Sequence, residues 1–111
     1  MAGLLAFTVN SVVRGHHIYK SIWTPFLGEE FVLEAEDGNE HDQHAVAVMK
    51  DATVVGHMPR YLLPVSWFFI KRVGSITCKI TGPRKHGVGL EVPCDYTYKG
   101  SRRKLKKVLD S

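Results

Sequence analysis

The stretch EFVLEAEDGNEHDQHAVAV, from Glu30 to Val48, combines the clearest strand pattern in the chain with its densest group of polar side chains. Phe31, Leu33 and Ala35 alternate with residues that point the other way, and this alternation predicts a half-buried strand. The segment DGNEHD that follows is typical of a turn, because Gly and Asn tolerate positive φ and Asp side chains cap backbone donors. The sequence therefore places a polar group at the end of one strand and the start of another.

The segments on either side of this stretch predict a mostly β protein. Apolar and β-branched residues predict strands over residues 4–15, 30–37, 75–82 and 88–98, and a hairpin over 45–58 that reverses near 50–52. A short helix over 64–72 is expected to stop at Gly74, and a basic helix over 101–110 starts from Ser101 as N-cap. Five or six short strands in series predict a small antiparallel barrel with one internal and one C-terminal helix.

Length and composition indicate one domain, residues 1–111, with a core over about 4–98 and a basic helix over 100–110. Apolar residues make up 44% of the chain, but no apolar run is long enough to cross a bilayer, and the N-terminus lacks the features of a secretory signal. The two cysteines, Cys78 and Cys94, each lie in a predicted strand, so we expect reduced core residues.

The net charge of +4 is unevenly distributed. Residues 1–58 contain three cations and eight acids, whereas residues 59–111 contain twelve cations and three acids. Six of those twelve cations lie between Lys99 and Lys107. This asymmetry favours a polyanionic partner, nucleic acid before an acidic membrane surface, although a basic tail that only maintains solubility stays open.

Two chemical interpretations of the polar group have little support. A zinc site needs three or four converging ligands, and neighbouring strand residues such as His41 and Asp42 point to opposite faces. A hydrolase would need an activated serine or cysteine beside a histidine, and no G-x-S-x-G motif occurs. We therefore expect neither a metal nor a cofactor, and no catalytic residues.

A pocket for the end of a nucleic acid fits the residue types better. Carboxylates accept hydrogen bonds from sugar hydroxyls, histidine and arginine donate to phosphates, and aromatic rings stack on bases. The chain offers candidates for all three roles, namely Asp42, His57, Arg60, Tyr19, Trp23 and Phe26.

Three segments, in order, resemble the pattern of the HIRAN domain family. They are VVRGHHIYKSIWT (residues 12–24), GEEFVLEAEDGNEHDQHAVAV (28–48) and VVGHMPRYL (54–62), and the resemblance covers roughly residues 8–98. Members of the family fold as a small OB-like β-barrel with helices. The best-known member is a module of a fork-remodelling ATPase, and this module captures the 3′ end of single-stranded DNA.

The resemblance implies a role for each matching residue. Asp42 would accept a hydrogen bond from the free 3′-hydroxyl, and Asn39 would lie beside it in the turn. His57 and Arg60 would contact the neighbouring phosphate, and Trp23 would stack on the terminal base. Tyr19, Lys20 and His41 are further candidates for contacts with the DNA end. The basic tail is not part of the resemblance, and its charge makes Arg102, Arg103 and Lys104 candidates for secondary phosphate contacts.

The sequence departs from the best-known family pattern just before Trp23. Ser21 and Ile22 stand where that pattern has a basic residue and an aromatic, and His41 stands where it has an aromatic before the aspartate. No G-x-x-x-x-G-K-[ST] motif occurs, so the chain is expected to act by binding. It either acts alone or is associated, covalently or not, with a DNA-remodelling enzyme, and both alternatives stay open.

Taken together, these features predict a monomeric, nuclear module (cytoplasmic if prokaryotic, and not secreted) that binds single-stranded DNA 3′ ends in DNA repair or fork remodelling. Three alternatives stay open: RNA ends, general single-strand binding without end preference, and a protein-interaction module for an acidic partner.

Overall fold

The computed structural model describes residues 3–15, 23–40, 42–83, 85–87 and 89–110, with the backbone alone for 85–87, 89 and 90. A one-turn 3-10 helix covers Arg60–Leu62. The other elements, in chain order, are β1 (Leu4–Val13), β2 (Glu30–Ala35), β3 (Val46–Lys50), β4 (Thr53–His57), α1 (Val65–Arg72), β5 (Gly74–Ile80), β6 (Lys85–Gly87), β7 (Gly89–Ser101) and α2 (Arg102–Asp110).

The strands form one antiparallel sheet in the order β1-β7-β5-β2-β3-β4, and β6 pairs with β7. The predicted barrel is confirmed as an antiparallel sheet with two helices, but the sheet is not closed, because among the described strands no ladder joins β4 back to β1. In the described residues the two edges pair through their backbones at Arg14 and His57, with N···O distances of 2.8 and 2.9 Å. A barrel needs strands tilted and staggered to close along their whole length, and β4 has only five residues.

The strand at the centre of the sequence pattern has the predicted faces. Phe31 and Leu33 are buried in the core, whereas Val32 is 58% exposed on the opposite side of β2. The next two strands form the predicted hairpin, which reverses at Asp51 and Ala52, with Asp51 at a positive φ of 55°. The mostly β character and the alternation are thus confirmed.

Helix α1 occupies the predicted position, with Pro64 as N-cap and Lys71 and Arg72 in its last turn, where cations favour the helix dipole. The helix ends at Arg72, before Gly74 as expected, and Gly74 is the first residue of β5. A Cβ at Gly74 would lie 1.9 Å from the carbonyl oxygen of Lys99, so close approach to β7 requires glycine there. Helix α1 packs against β5 and β2.

The C-terminal part adds two details to the prediction. The basic turn over residues 83–87 contains the short strand β6, which extends the hairpin to β7. Ser101 caps α2 as expected, because its Oγ accepts a hydrogen bond from the backbone N–H of Lys104 at 3.3 Å. Leu105 and Val108 pack against the core, so the cations of α2 face outward.

The core lies between the sheet and α1, and both cysteines are part of it as free thiols, as predicted. A hydrogen bond with Cys94 and burial raise the pKa of Cys78, so this thiol stays protonated at neutral pH. Burial raises the pKa of the neighbouring Tyr96 as well, and its hydroxyl donates to the carbonyl of Val12 at 2.6 Å. These groups stabilise the fold and lie away from the surface.

Candidate nucleic-acid interface

The turn between β2 and β3 is held by two of the predicted site residues. Asn39 Oδ1 accepts the backbone N–H of Asp42 at 3.0 Å, and Asp42 Oδ1 accepts the backbone N–H of His44 at 2.9 Å. Gly38 at the tip has a φ of 76°, which favours glycine. The turn chemistry predicted from Asn and Asp is confirmed, and it uses one oxygen of the Asp42 carboxylate.

Sequence reasoning missed a carboxylate that connects this turn to β4. His57 Nε2 lies 2.5 Å from Glu36 Oε1, and because a carboxylate only accepts, the imidazole N–H donates. Asn39 Nδ2 donates to the same oxygen over a longer distance of 3.4 Å. Glu36 was predicted only to be on the polar face of its strand. Its pairing with His57 arises from the hairpin, which brings the two strand ends together.

Asp42 and Arg60 line one open pocket of about 340 Å³, together with His44, Leu63 and Pro64. Arg60 is exposed at the start of the 3-10 helix that follows Pro59. Within the described part of the chain, its guanidinium makes no ion pair or side-chain hydrogen bond. The pocket thus brings a carboxylate and an available guanidinium together, as two of the sequence predictions require.

One lining residue, His44, packs against an aromatic group on α1 that was not predicted as part of the site. The ring of His44 lies 5.2 Å from the ring of Trp67 and 5.3 Å from that of Phe68. The indole N–H of Trp67 donates to the backbone carbonyl of Glu36 at 3.0 Å, and Lys71 lies over the Trp67 ring at 5.2 Å. Helix α1 is thereby fixed against the turn.

Trp23 does not fit its expected role. It is only 2% exposed, packs edge-on against Phe31 at 5.1 Å, and donates its indole N–H to the buried Glu29 at 3.0 Å. Lys50 pairs with the same carboxylate at 3.2 Å. A buried ring has no open face for a base, so Trp23 is part of the core, and the expectation that it stacks on a terminal base is corrected.

Three of the predicted contacts, Tyr19, Lys20 and His41, lie outside the described residues. The secondary contacts lie on α2, where Arg102, Arg103 and Lys104 are exposed. Arg102 Nε donates to the carbonyl of Leu4 at 2.9 Å, which ties the start of the helix to β1. The basic helix therefore presents cations on a surface fixed to the sheet.

The described residues show neither a group of metal ligands nor a membrane-spanning helix. No three His, Cys, Asp or Glu side chains among them are grouped as metal ligands. None of the helices described is both long and apolar enough to span a membrane.

The fold and the pocket together define a small antiparallel β domain with a polar pocket between the turn that joins β2 to β3 and the segment that leads into α1. Its structure matches the HIRAN domain of human HLTF, with a TM-score of 0.74 and 21% sequence identity, over 99% of this chain and 90% of the other. The HIRAN-like fold expected from the sequence is thereby confirmed. No protein-family model and no curated protein matches the chain.

Proposed function

We propose that this chain is a non-catalytic module that binds the free 3′-hydroxyl end of single-stranded DNA in the pocket of Asp42 and Arg60. The observation that supports it most is the convergence of a carboxylate and an available guanidinium in one open pocket. These are the two groups that a terminal hydroxyl and its adjoining phosphate require.

Asp42 is suited to receive a hydroxyl. Its Oδ1 is occupied by the N–H of His44, which fixes the direction of the carboxylate. Its Oδ2 has no hydrogen-bond partner among the described residues, so that oxygen is available to a terminal hydroxyl. A phosphate at the same place would bring a second anion against the carboxylate, which disfavours blocked ends.

We assign the phosphate contact to Arg60 and give His57 a supporting role. The Nε2 of His57 is directed at Glu36, which makes that nitrogen unsuitable for a phosphate. Arg60 is exposed and has the planar donor group that suits phosphate oxygens. Glu36 and His57 together hold the ends of β2 and β4 in position behind the pocket.

The basic helix α2 would add affinity that does not depend on sequence or on the end. Its exposed cations neutralise phosphates and release counterions, which makes binding sensitive to salt. The HIRAN-like fold supports the same function, since the family resemblance implies 3′-end binding. Such a role would be carried out in the nucleus, or in the cytoplasm of a prokaryote, in association with a DNA-remodelling enzyme.

A protein-interaction module is the second candidate, and one observation favours it. Leu109 is 73% exposed at the end of α2, beside the cations of the same helix. A basic helix with an exposed apolar residue also suits an acidic protein partner.

A fluorescence titration with three single strands of equal length tests the proposal. One strand carries a free 3′-hydroxyl, the second a 3′-phosphate, and the third is circular. We expect the free end to bind about tenfold tighter than the other two, as loss of a hydrogen bond to a charged group implies. Equal binding of all three would replace end recognition by general single-strand binding, and no binding at low salt would favour the protein partner.

A further inference from the structure

Tyr61 is an exposed aromatic residue beside the pocket, and its ring is fixed. It is 64% exposed, yet its hydroxyl shares a hydrogen bond with Ser11, a buried residue of β1. Its backbone is fixed by the 3-10 helix, in which the N–H of Leu62 bonds to the carbonyl of Pro59 at 3.1 Å. The side chain is thus anchored at both ends while the ring stays open to solvent.

The position of Tyr61 relative to the pocket follows from the 3-10 helix. With three residues per turn, Arg60 and Leu63 project to the same side, and both line the pocket. Tyr61 is rotated by about a third of a turn from them, towards Ser11 on β1. Pro64 and Val65 are exposed next to it, so the apolar surface continues from the pocket rim.

The other aromatic rings of the described residues are less suited to meet a strand that leaves this pocket. Phe26 precedes β2, whereas Glu36 follows it, so the two are separated by about 20 Å of strand. Phe7 has one face covered by Tyr98, whose ring is stacked on it at 4.6 Å. Trp67 and Phe68 are half-buried against His44.

We propose that Tyr61 is a stacking subsite for the nucleobase next to the 3′-terminal one, an inference that rests on the function proposed above. When the terminal sugar lies at Asp42 and its phosphate at Arg60, the preceding nucleotide meets the residue after Arg60. Consecutive Cα atoms are about 3.8 Å apart, which keeps the ring within reach of that base. A ring that is already ordered loses little entropy when a base stacks on it.

A stacking subsite on Tyr61 would not select for base sequence. Stacking on a tyrosine tolerates every base, because each base has an aromatic face, and it is worth about 1–3 kcal/mol per base. The subsite therefore adds affinity for any sequence, provided that the strand enters the pocket by its 3′ end.

Abasic scanning tests the subsite in the intact chain. Strands with a free 3′-hydroxyl carry one abasic nucleotide at the last, the penultimate or the fifth position, and are titrated against the unchanged chain, Tyr61→Ala and Tyr61→Phe. We expect Tyr61→Ala to weaken binding of the unmodified strand about tenfold and to have almost no effect on the strand abasic at the penultimate position. Tyr61→Phe keeps the ring and should retain most of the affinity.

Leu27→Ala is the matched control, since it removes an exposed apolar side chain from the segment before β2, and it should change none of these affinities. A urea midpoint for Tyr61→Ala separates stacking from folding. If the free-end preference persists but Tyr61→Ala weakens all strands equally, or none, the subsite is wrong and the pocket stands. If the unchanged chain shows no free-end preference, the proposed function fails and the subsite fails with it.

Discussion

The two tryptophans of the chain lie near opposite ends of β2 and both donate an indole N–H to the segment that they pack against. Trp23 donates to the carboxylate of Glu29, and Trp67 donates to the backbone carbonyl of Glu36. The first group is closed, since Trp23 and Glu29 are both buried. The second is half-exposed and adjoins the pocket of Asp42.

The difference shows that a carboxylate can have a structural role at one site and be available for binding at another. Glu29 accepts from Trp23, from the backbone N–H of Phe26 and from Lys50, so its charge is balanced where it is buried. Asp42 has a single intramolecular partner on one oxygen in the described residues. A carboxylate with all its partners in the protein stabilises the fold, whereas one with an oxygen left over is available to a ligand.

The largest expected effect is that of a substitution in the buried group of Trp23 and Glu29 on the stability of the fold. Trp23→Ala should lower the free energy of unfolding by about 3–5 kcal/mol, because it removes a fully buried ring and one of the three donors to the buried Glu29. Trp67→Ala, at a half-buried position, should cost clearly less. Urea unfolding of both variants measures the difference.

Comparison of urea unfolding with DNA binding can contradict the structural role of Trp23. If Trp23→Ala unfolds at nearly the same urea concentration as the unchanged chain but no longer binds DNA, then Trp23 is a ligand contact and not a structural residue.

A smaller effect is expected from the basic helix. Changing Arg102, Arg103 and Lys104 to Ala should reduce the slope of log affinity against log salt by about 2, at roughly 0.7 per phosphate contact of a single strand. The preference for a free 3′ end should persist, because the pocket is unchanged. Salt titrations from low to moderate ionic strength measure both quantities, and an unchanged slope would remove α2 from the interface.

The smallest effect is expected from substitution of Glu36, which supports the pocket without lining it. Glu36→Ala removes the acceptor of both His57 and Asn39, so the preference for a free end should fall about threefold, as the loss of one net hydrogen bond implies. Glu36→Gln keeps an acceptor oxygen and should restore most of the preference. Glu34→Gln is the control on the same face of β2. Equal losses in Glu36→Ala and Glu36→Gln would show that charge is what matters at this position.

The sequence predicted those features that depend on neighbours along the chain. Alternation identified β2, and the Asn39 and Asp42 side chains identified the turn. Whether the barrel closes could not be predicted, because closure depends on how two strands distant in sequence meet, and among the described residues they pair at a single bridge, between Arg14 and His57.

The contacts that sequence reasoning missed were missed for the same physical reason. Glu36 meets His57, and Tyr61 meets Ser11, through pairings 21 and 50 residues apart in sequence. The burial of Trp23 likewise follows from its packing on Phe31, which residue type alone does not indicate.

The most direct test of the central claim combines the protein carboxylate and the DNA hydroxyl in one cycle. Asp42→Asn keeps an oxygen for the N–H of His44 but loses the charge, and a 3′-deoxy end removes the hydroxyl. We predict that losing the hydroxyl weakens binding about tenfold for the unchanged chain and less than about twofold for Asp42→Asn, because the two groups bind each other. The same loss in both proteins would contradict the account.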